Sequence, residues 1–272
     1  MKPQNPSRPF LHARGAGIAV LAAVLATPLA AQREAETHSR PVDRRFSFVE
    51  ETLHGASPGH LEFEQWVTWS HGTRADSDFD RFAFKHEIEY GISEGVHFAI
   101  DLAEWHTSDV GGDYVTRYDA TGAELKFRFT DPRSDALGVA FKTELGLGPH
   151  ELEWQNVLVL DKIVDRWEVA YNLVAEAGLE SDRLFEFGDG ELGITQKLGV
   201  SYEVEPSLYV GAEMVYEIPP DWTWGERQNF FAGPDLAVRG NEWAMVMTAM
   251  ALLDGEATAP EFQFRLVFEI DF

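Results

Sequence analysis

Carboxylates recur at every second position in several stretches of the sequence, and they are the residues with the clearest chemical potential. Glu62 and Glu64 form one such pair, and Glu87 and Glu89 form another. Side chains two residues apart in a β-strand point to the same face, so each pair would place two negative charges on one surface. Because buried charges must be paired or hydrated, this surface predicts a polar interior that attracts cations.

Basic residues share the same faces, although there are fewer of them. We predict that these faces line the lumen of a barrel, where the excess of carboxylates favours cations and repels anions. A lumen filled by salt bridges, without ion selectivity, is the alternative that the same residues allow. The residues predicted to line the lumen are Glu62, Glu64, Lys85, Glu87, Asp101, Lys126, Arg128, Glu144, Glu168, Glu213 and Arg265.

A calcium loop is the first alternative chemistry. Asp76, Asp78 and Asp80 alternate as calcium ligands do. However, Arg81 stands where the turn glycine belongs, and Glu87, in the place of the bidentate glutamate, falls inside a predicted strand. We therefore expect an acidic surface loop and no metal site.

A hydrolase is the second alternative, and it needs a nucleophile, a base and an orienting group. Ser70 and His71 are adjacent and so point to opposite faces of a strand. His106 and Ser108 lack a recognisable flanking motif, and the chain has neither a Gly-rich phosphate loop nor a zinc-binding helix motif. We expect no catalytic residue, no cofactor and no enzymatic activity.

The elements that must position the charges are β-strands, because apolar residues recur with a period of two. The final segment shows this best, since a helix would scatter its aromatic residues around the axis. Its charged and polar side chains fall on one face, and its other face consists of Phe262, Phe264, Leu266, Phe268, Ile270 and Phe272.

The same alternation predicts about twelve strands, and we expect an all-β fold, a closed antiparallel transmembrane β-barrel. An even number of strands is typical of single-chain bacterial barrels and places both ends of the barrel on the periplasmic side. The predicted strands are 60–71, 81–91, 95–107, 114–130, 136–147, 150–162, 166–180, 190–204, 207–218, 229–239, 242–253 and 260–272.

The connections between these strands differ in length, as outer-membrane barrels have short periplasmic turns and longer outer loops. The short connections are 92–94, 131–135, 163–165, 205–206 and 240–241. The longer ones, rich in Gly, Pro and Asp, are 72–80, 181–189, 219–228 and 254–259.

Two features fit this pattern badly. Gln65, His86, Asn156 and Gln196 fall on outward faces, which predicts local β-bulges or different strand limits. The segment 244–253 is apolar on both faces, so its orientation stays open.

The N-terminal region divides into two parts. Residues 1–31 have a basic start, a short apolar run and a small-residue end, which predicts a cleaved signal peptide. Residues 32–59 are predicted to be a periplasmic extension or a plug, ahead of an outer-membrane barrel over 60–272. No later apolar run is long enough to cross a bilayer as a helix, which argues against an inner-membrane protein.

Charge and cysteine content exclude other classes. The net charge of −24 argues against nucleic-acid binding. The absence of cysteine excludes disulfides, thiolate metal sites and a lipid-modified N-terminal cysteine.

The segment EETLHGASPGHLEFEQWVTWSHG, which ends at Gly72, and the last strand ending in Phe272 resemble uncharacterised small outer-membrane barrel proteins of Gram-negative bacteria, which are porin-like. The resemblance implies that the outer-membrane assembly machinery reads the C-terminal strand. It carries over no catalytic or binding residue.

We therefore expect a channel in the outer membrane for passive passage of small solutes, with a preference for cations. Its partners would be the lipid bilayer, the assembly machinery and the solutes. An outer-membrane enzyme with a site at the rim, and a structural or adhesive barrel acting through its loops, are the alternatives.

Overall fold

A computed structural model describes residues 43–110, 112–180, 190–218 and 228–272. The predicted signal peptide, residues 1–31, lies outside the described residues, as do most of the predicted loops 181–189 and 219–228. Among the residues that the structure describes, no helix is long and apolar enough to cross a membrane.

Twelve strands account for almost all the regular structure, and each predicted strand is confirmed with ends within three residues. They are β1 Leu61–Thr73, β2 Asp80–Ser93, β3 Val96–Val110, β4 Asp113–Arg128, β5 Gly138–Leu147, β6 Glu151–Val164, β7 Trp167–Glu180, β8 Gly190–Glu205, β9 Leu208–Ile218, β10 Asn229–Arg239, β11 Trp243–Asp254 and β12 Pro260–Asp271.

The strands form one closed antiparallel barrel in which every strand pairs with its neighbours in sequence. Pairing of β1 with β12 closes the sheet; Trp66 lies opposite Val267, for example. Closure satisfies the backbone N–H and C=O groups that an open sheet edge would leave unpaired.

Apolar and charged side chains are distributed over the two faces of the barrel in the reverse of the usual order in a soluble protein. On β6, Val157 and Val159 point inward and are 1% and 0% exposed, whereas Leu158 between them is 38% exposed. Charged residues such as Glu168 and Glu213 are buried inside the barrel, while large apolar side chains are exposed outside it. This arrangement suits an apolar solvent around the barrel and a polar interior.

The polar residues predicted to face outward do so, and neighbouring groups satisfy three of them. Gln65 donates to the carbonyl oxygen of Trp66 at 3.0 Å. The indole of Trp105 donates to His86 at 3.2 Å, and the hydroxyl of Tyr171 donates to Gln196 at 3.0 Å. The expected change of register occurs only beside His86, where the β2–β3 pairing shifts.

The orientation of β11, which the sequence left open, is settled by burial. Ala244, Val246, Thr248 and Met250 are buried and point inward. This face is almost entirely apolar because it packs against other interior groups, as described below.

A charge on the outward face should cost more in the middle of a strand than at its end. We predict that Leu158→Arg lowers the free energy of unfolding by about 2–4 kcal/mol, the cost of a cation at the bilayer midplane. Val164 has the same orientation at the end of β6, so Val164→Arg should cost roughly 0–1 kcal/mol. Denaturant titration in lipid vesicles measures both, and equal costs would contradict this placement of the strand.

Candidate functional site

The candidate site is the barrel interior together with residues 43–59, which we call the inner segment. This segment has no helix or strand, and it joins the wall by a single β-bridge between Pro58 and Gly91. Many of its side chains are nevertheless buried: Phe46 and Val49 are 0% exposed and Arg45 is 1% exposed. The contacts that bury them come from inward-facing residues of the strands.

Apolar side chains of the segment fit against small residues of the wall. Phe46 packs against Ala170, and a methyl group added at Gly199 would lie 2.6 Å from its ring. Leu53 packs against Ala140, and a methyl group at Gly138 would lie 2.8 Å from it. The wall therefore has recesses where these two side chains sit.

Phe48 makes the third apolar contact, against the apolar inward face of β9 to β11. Its neighbours there are Val215, Phe231 and Met250. This contact explains why β11 presents apolar residues to the interior.

Wall side chains also satisfy the backbone of the segment, which has no sheet or helix of its own to do so. The Glu213 carboxylate accepts the N–H groups of Ser47 at 3.0 Å and Val49 at 2.5 Å. Asn172 accepts the N–H of Glu51 at 3.1 Å and donates to its carbonyl oxygen at 2.8 Å. Such contacts permit irregular backbone inside a membrane-spanning structure.

Two further carboxylates do the same along the rest of the segment. Asp161 accepts the N–H of Leu53 at 3.2 Å, and Glu89 accepts the N–H of Ala56 at 2.8 Å. Four strands thus hold the backbone from Ser47 to Ala56.

Arg44 and Arg45 of the segment pair with wall carboxylates, Arg45 with Glu168. Arg44 lies 2.7 Å from Glu64 and 2.8 Å from Glu269, and its guanidinium is 4.7 Å from the ring centre of Trp66. Burial alone would lower the pKa of Arg44, but these two carboxylates raise it well above its ordinary value. The inward-facing Trp66 therefore serves as a platform for a cation.

Glu50 makes the opposite kind of contact, with bases of the wall. Its carboxylate is 2.8 Å from Lys197 and 2.7 Å from Arg265. Burial alone would raise the pKa of Glu50, but these two cations hold it below its ordinary value.

Glu51 is held in the same way by two lysines. It lies 3.0 Å from Lys142 and 3.3 Å from Lys126. Burial alone would raise its pKa, but the Lys142 and Lys126 ammonium groups lower it to about 2. Glu50 and Glu51 are therefore both ionised in neutral solution.

The residues predicted to line the lumen fall into two groups. Lys85, Glu87, Asp101 and Glu144 pair with each other or with other wall residues, and Glu62 borders a small cavity beside Arg44. The group that contacts the inner segment comprises Glu64, Lys126, Arg128, Glu168, Glu213 and Arg265.

Sequence reasoning missed the residues of the segment itself. Arg44, Arg45, Glu50 and Glu51 lie in a stretch without periodicity, so no face could be assigned to them. The available signal was composition, because two adjacent bases and two adjacent acids flank Phe46 to Val49 in a chain whose wall residues carry both charges.

The fold is that of outer-membrane β-barrels. Solved structures with this fold include the NanC porin, at 8% identity and a TM-score of 0.53, with 76% of this chain and 98% of that one covered. The KdgM porin has 11% identity and a TM-score of 0.51, with 78% and 99% covered. The beta domain of the Bordetella autotransporter BrkA also has 11% identity and a TM-score of 0.51, with 79% and 100% covered.

The chain belongs to a family of unknown function, DUF6662, whose model matches residues 43–265. The match includes the inner segment as well as nearly all of the barrel. No curated protein matches the chain.

Glu213 should be the main anchor of the segment backbone. We predict that Glu213→Ala frees the amides of Ser47 and Val49, each at a cost of about 1–3 kcal/mol. Hydrogen exchange of the inner segment should become at least roughly tenfold faster, since about 1.4 kcal/mol corresponds to a factor of ten.

Glu217→Ala is the matched control on the same strand and face. Glu217 accepts a hydrogen bond from Asn229 at 3.0 Å and none from the segment. Equal acceleration in both variants would show that Glu213 has no special role in holding the segment.

Acid should release the segment. Because the pKa values of Glu50 and Glu51 are lowered from 4.5, their contribution to docking is complete above pH 4.5 and is lost as the pH falls toward about 2. The chain has no cysteine, so a Ser47→Cys thiol can report exposure by its reaction with an acid-tolerant disulfide reagent.

The reaction should accelerate between pH 4.5 and 2, after correction for the reactivity of a free thiol. The variant that also carries Glu51→Gln should react faster at neutral pH and depend less on pH. A corrected rate that is the same at pH 6 and pH 2.5 would refute this role of the two carboxylates.

Proposed function

We propose that the protein is a channel of the outer membrane, of the porin kind, and that its own inner segment closes it. The observation that carries the proposal is the shape of the wall where the segment lies. Gly199, Gly138, Ala170 and Ala140 face the segment there, so at these positions the side chains of the wall leave space that the segment fills. If the segment withdraws, an opening remains behind it.

The contacts of the segment are of a kind that can be exchanged for water. Ion pairs and single hydrogen bonds hold its backbone and its charged side chains, and apolar contact is confined to Phe46, Phe48, Val49 and Leu53. Carboxylates and lysines exposed by withdrawal would be hydrated in an open lumen. Withdrawal therefore leaves no charged group buried without a partner.

A preference for cations is part of the proposal. In the half of the barrel away from the C-terminus, Glu104, Glu153, Glu176 and Glu217 line the interior, and no salt bridge of theirs is found among the described residues. Carboxylates without paired bases raise the local concentration of cations and exclude anions. Solutes that are small and neutral or positively charged are the expected cargo.

A structural barrel with a permanently filled interior is the second candidate. The number of partners that hold the segment favours it, since Glu213, Asn172, Asp161 and Glu89 each accept one or more of its backbone amides. The fold allows either candidate, because its solved relatives include porins and the beta domain of an autotransporter.

Location in the outer membrane, with the C-terminal strand ending in Phe272 read by the assembly machinery, belongs to the same proposal. The exposed apolar face of the barrel supports it, since the bilayer would cover Leu158, Leu145 and Trp154.

A disulfide between the segment and the wall tests the proposal. Ser47 donates to Thr248 at 2.7 Å, so the two side chains are in direct contact, and the pair Ser47→Cys and Thr248→Cys is the choice for a disulfide. Planar-bilayer recordings should show openings for the wild type and for the reduced double variant. The oxidised double variant should be silent, and reductant should restore its openings.

The two single-cysteine variants are the controls, and oxidation should not change their openings. Glu213→Ala should open more often than the wild type, with a reversal potential in a KCl gradient that indicates cation preference. If Glu213→Ala frees the segment in hydrogen exchange but conducts no ions, the structural barrel is the correct interpretation. An anion preference would remove the selectivity part of the proposal.

A further inference from the structure

A buried cluster joins the inner segment to the wall near the β6–β7 turn. His54 comes from the segment, Asp161 from β6 and Glu168 from β7. Asp161 lies opposite Ala170, and Glu168 lies opposite Ile163, so the two carboxylates are diagonal neighbours on the inner face. One ligand atom from each of the three side chains lies within 4.8 Å of the other two.

The carboxylates of this cluster are deeply buried, and their ligand atoms are incompletely satisfied. Asp161 and Glu168 are both 0% exposed, and the Oδ1 atom of Asp161 forms no hydrogen bond with any described residue. The Oε1 atom of Glu168 and the Nε2 atom of His54 face each other at 3.5 Å without forming a well-aligned hydrogen bond. A buried polar atom without a partner costs about 1–3 kcal/mol. Asp161 is the clearest case, because its Oδ1 atom is buried beside His54 and Glu168 with no partner, and it indicates room for a further group among the three side chains.

Several other acidic groups of the interior differ, because basic side chains lie beside them. Arg44 sits between Glu64 and Glu269, and Lys85 lies 2.9 Å from Asp101. Asp161, in contrast, forms no salt bridge among the described residues. Arg45 reaches only the Oε2 side of Glu168, at 2.9 Å, which leaves the Oε1 side directed at His54.

We propose that His54, Asp161 and Glu168 bind a divalent transition-metal ion of the zinc type, which ties the inner segment to the barrel wall. One imidazole nitrogen and two carboxylate oxygens form a ligand set that suits zinc, with water in the fourth position. Calcium and magnesium prefer all-oxygen sites, so they fit this set less well.

The spacing is close to that of such a site. Ligand atoms at about 2.1 Å from a tetrahedral zinc ion lie about 3.4 Å apart. The Nε2 atom of His54 and the Oε1 atom of Glu168 are 3.5 Å apart already. Asp161 would need to move by at most roughly 1.4 Å, which a rotation of its carboxylate supplies.

Arg45 would then act as an outer partner that fixes the orientation of Glu168. Its guanidinium is also 3.2 Å from Asp43, so it is held from both sides. Hydrogen-bonded or ion-paired outer groups commonly orient metal-binding carboxylates in this way.

One consequence rests on the proposed function. The ion would connect a residue of the segment to two residues of the wall, so bound metal would stabilise the closed state of the channel. Chelators would increase the frequency of opening, and added zinc would lower it.

Metal binding by the full chain in detergent tests the site itself. Zn²⁺ is titrated against a chromophoric chelator, and Co²⁺ is added separately to obtain the visible absorption of a tetrahedral site. We expect one ion per chain. Loss of an outer partner of a metal ligand typically weakens binding roughly ten- to a hundredfold. His54→Gln and Asp161→Asn remove ligands themselves, so each should weaken binding by at least that much.

His60→Gln is the matched control. His60 directly precedes β1 and, like His54, lies next to a buried wall carboxylate, in its case Asp271 at 3.3 Å. It should bind as tightly as the wild type. Heat-dependent gel mobility shows that each variant retains its barrel, and His54→Gln changes only the segment. Hydrogen exchange of residues 43–59 should slow on addition of Zn²⁺ in the wild type and not in His54→Gln.

Two results would overturn the site: no bound metal in the wild type, which would mean that the imidazole is only an ion-pair partner, or undiminished binding by His54→Gln. The channel is tested separately. If metal binds and slows exchange but the wild type never conducts, the site stands and the proposed function fails. If the wild type conducts but binds no metal, the proposed function stands and the metal site fails.

Discussion

The pairing of β1 with β12 is the contact on which the rest of the structure depends. It removes the two sheet edges, which hydrocarbon could not hydrate, and so makes a membrane-spanning barrel possible. It also divides every strand into an outer face and an inner face. Leu158 and its apolar neighbours can remain exposed only because the outside of a closed sheet meets lipid, and Glu168 and Glu213 can be buried only because the inside is polar.

Closure creates a second requirement, which is that the interior must be filled or hydrated. The barrel meets it with the chain's own residues 43–59, which pack against the inward side chains of the wall. The segment brings charges of both signs. Arg44 pairs with carboxylates and Glu50 pairs with bases, so neither charge is buried without a partner. Its irregular backbone is tolerated because Glu213 and Asn172 provide the hydrogen-bond partners that a sheet would otherwise supply.

The contacts that hold the inner segment differ from those of a hydrophobic core in how easily they can be disrupted. Burial of Phe46 against Gly199 and Ala170 resists withdrawal, whereas the ion pairs exchange their partners for water at little net cost. The balance between these two kinds of contact decides whether the interior is a gate or a permanent filling. The apolar face of β11 contributes to the first kind and the charged faces of β4, β5 and β8 to the second.

Much of the fold followed from the sequence alone. Alternation with a period of two is a local property, so it located all twelve strands. It said nothing about Arg44 to Gly59, because that stretch has no repeat and its partners are far away in sequence: Ser47 and Thr248 are 201 residues apart, and Leu53 and Asp161 are 108 residues apart. The convergence of His54, Asp161 and Glu168 has no sequence motif for the same reason. Periodicity therefore determined the wall, whereas only the closed barrel decided what occupies its interior, since the groups that hold the segment meet one another only after the sheet has closed.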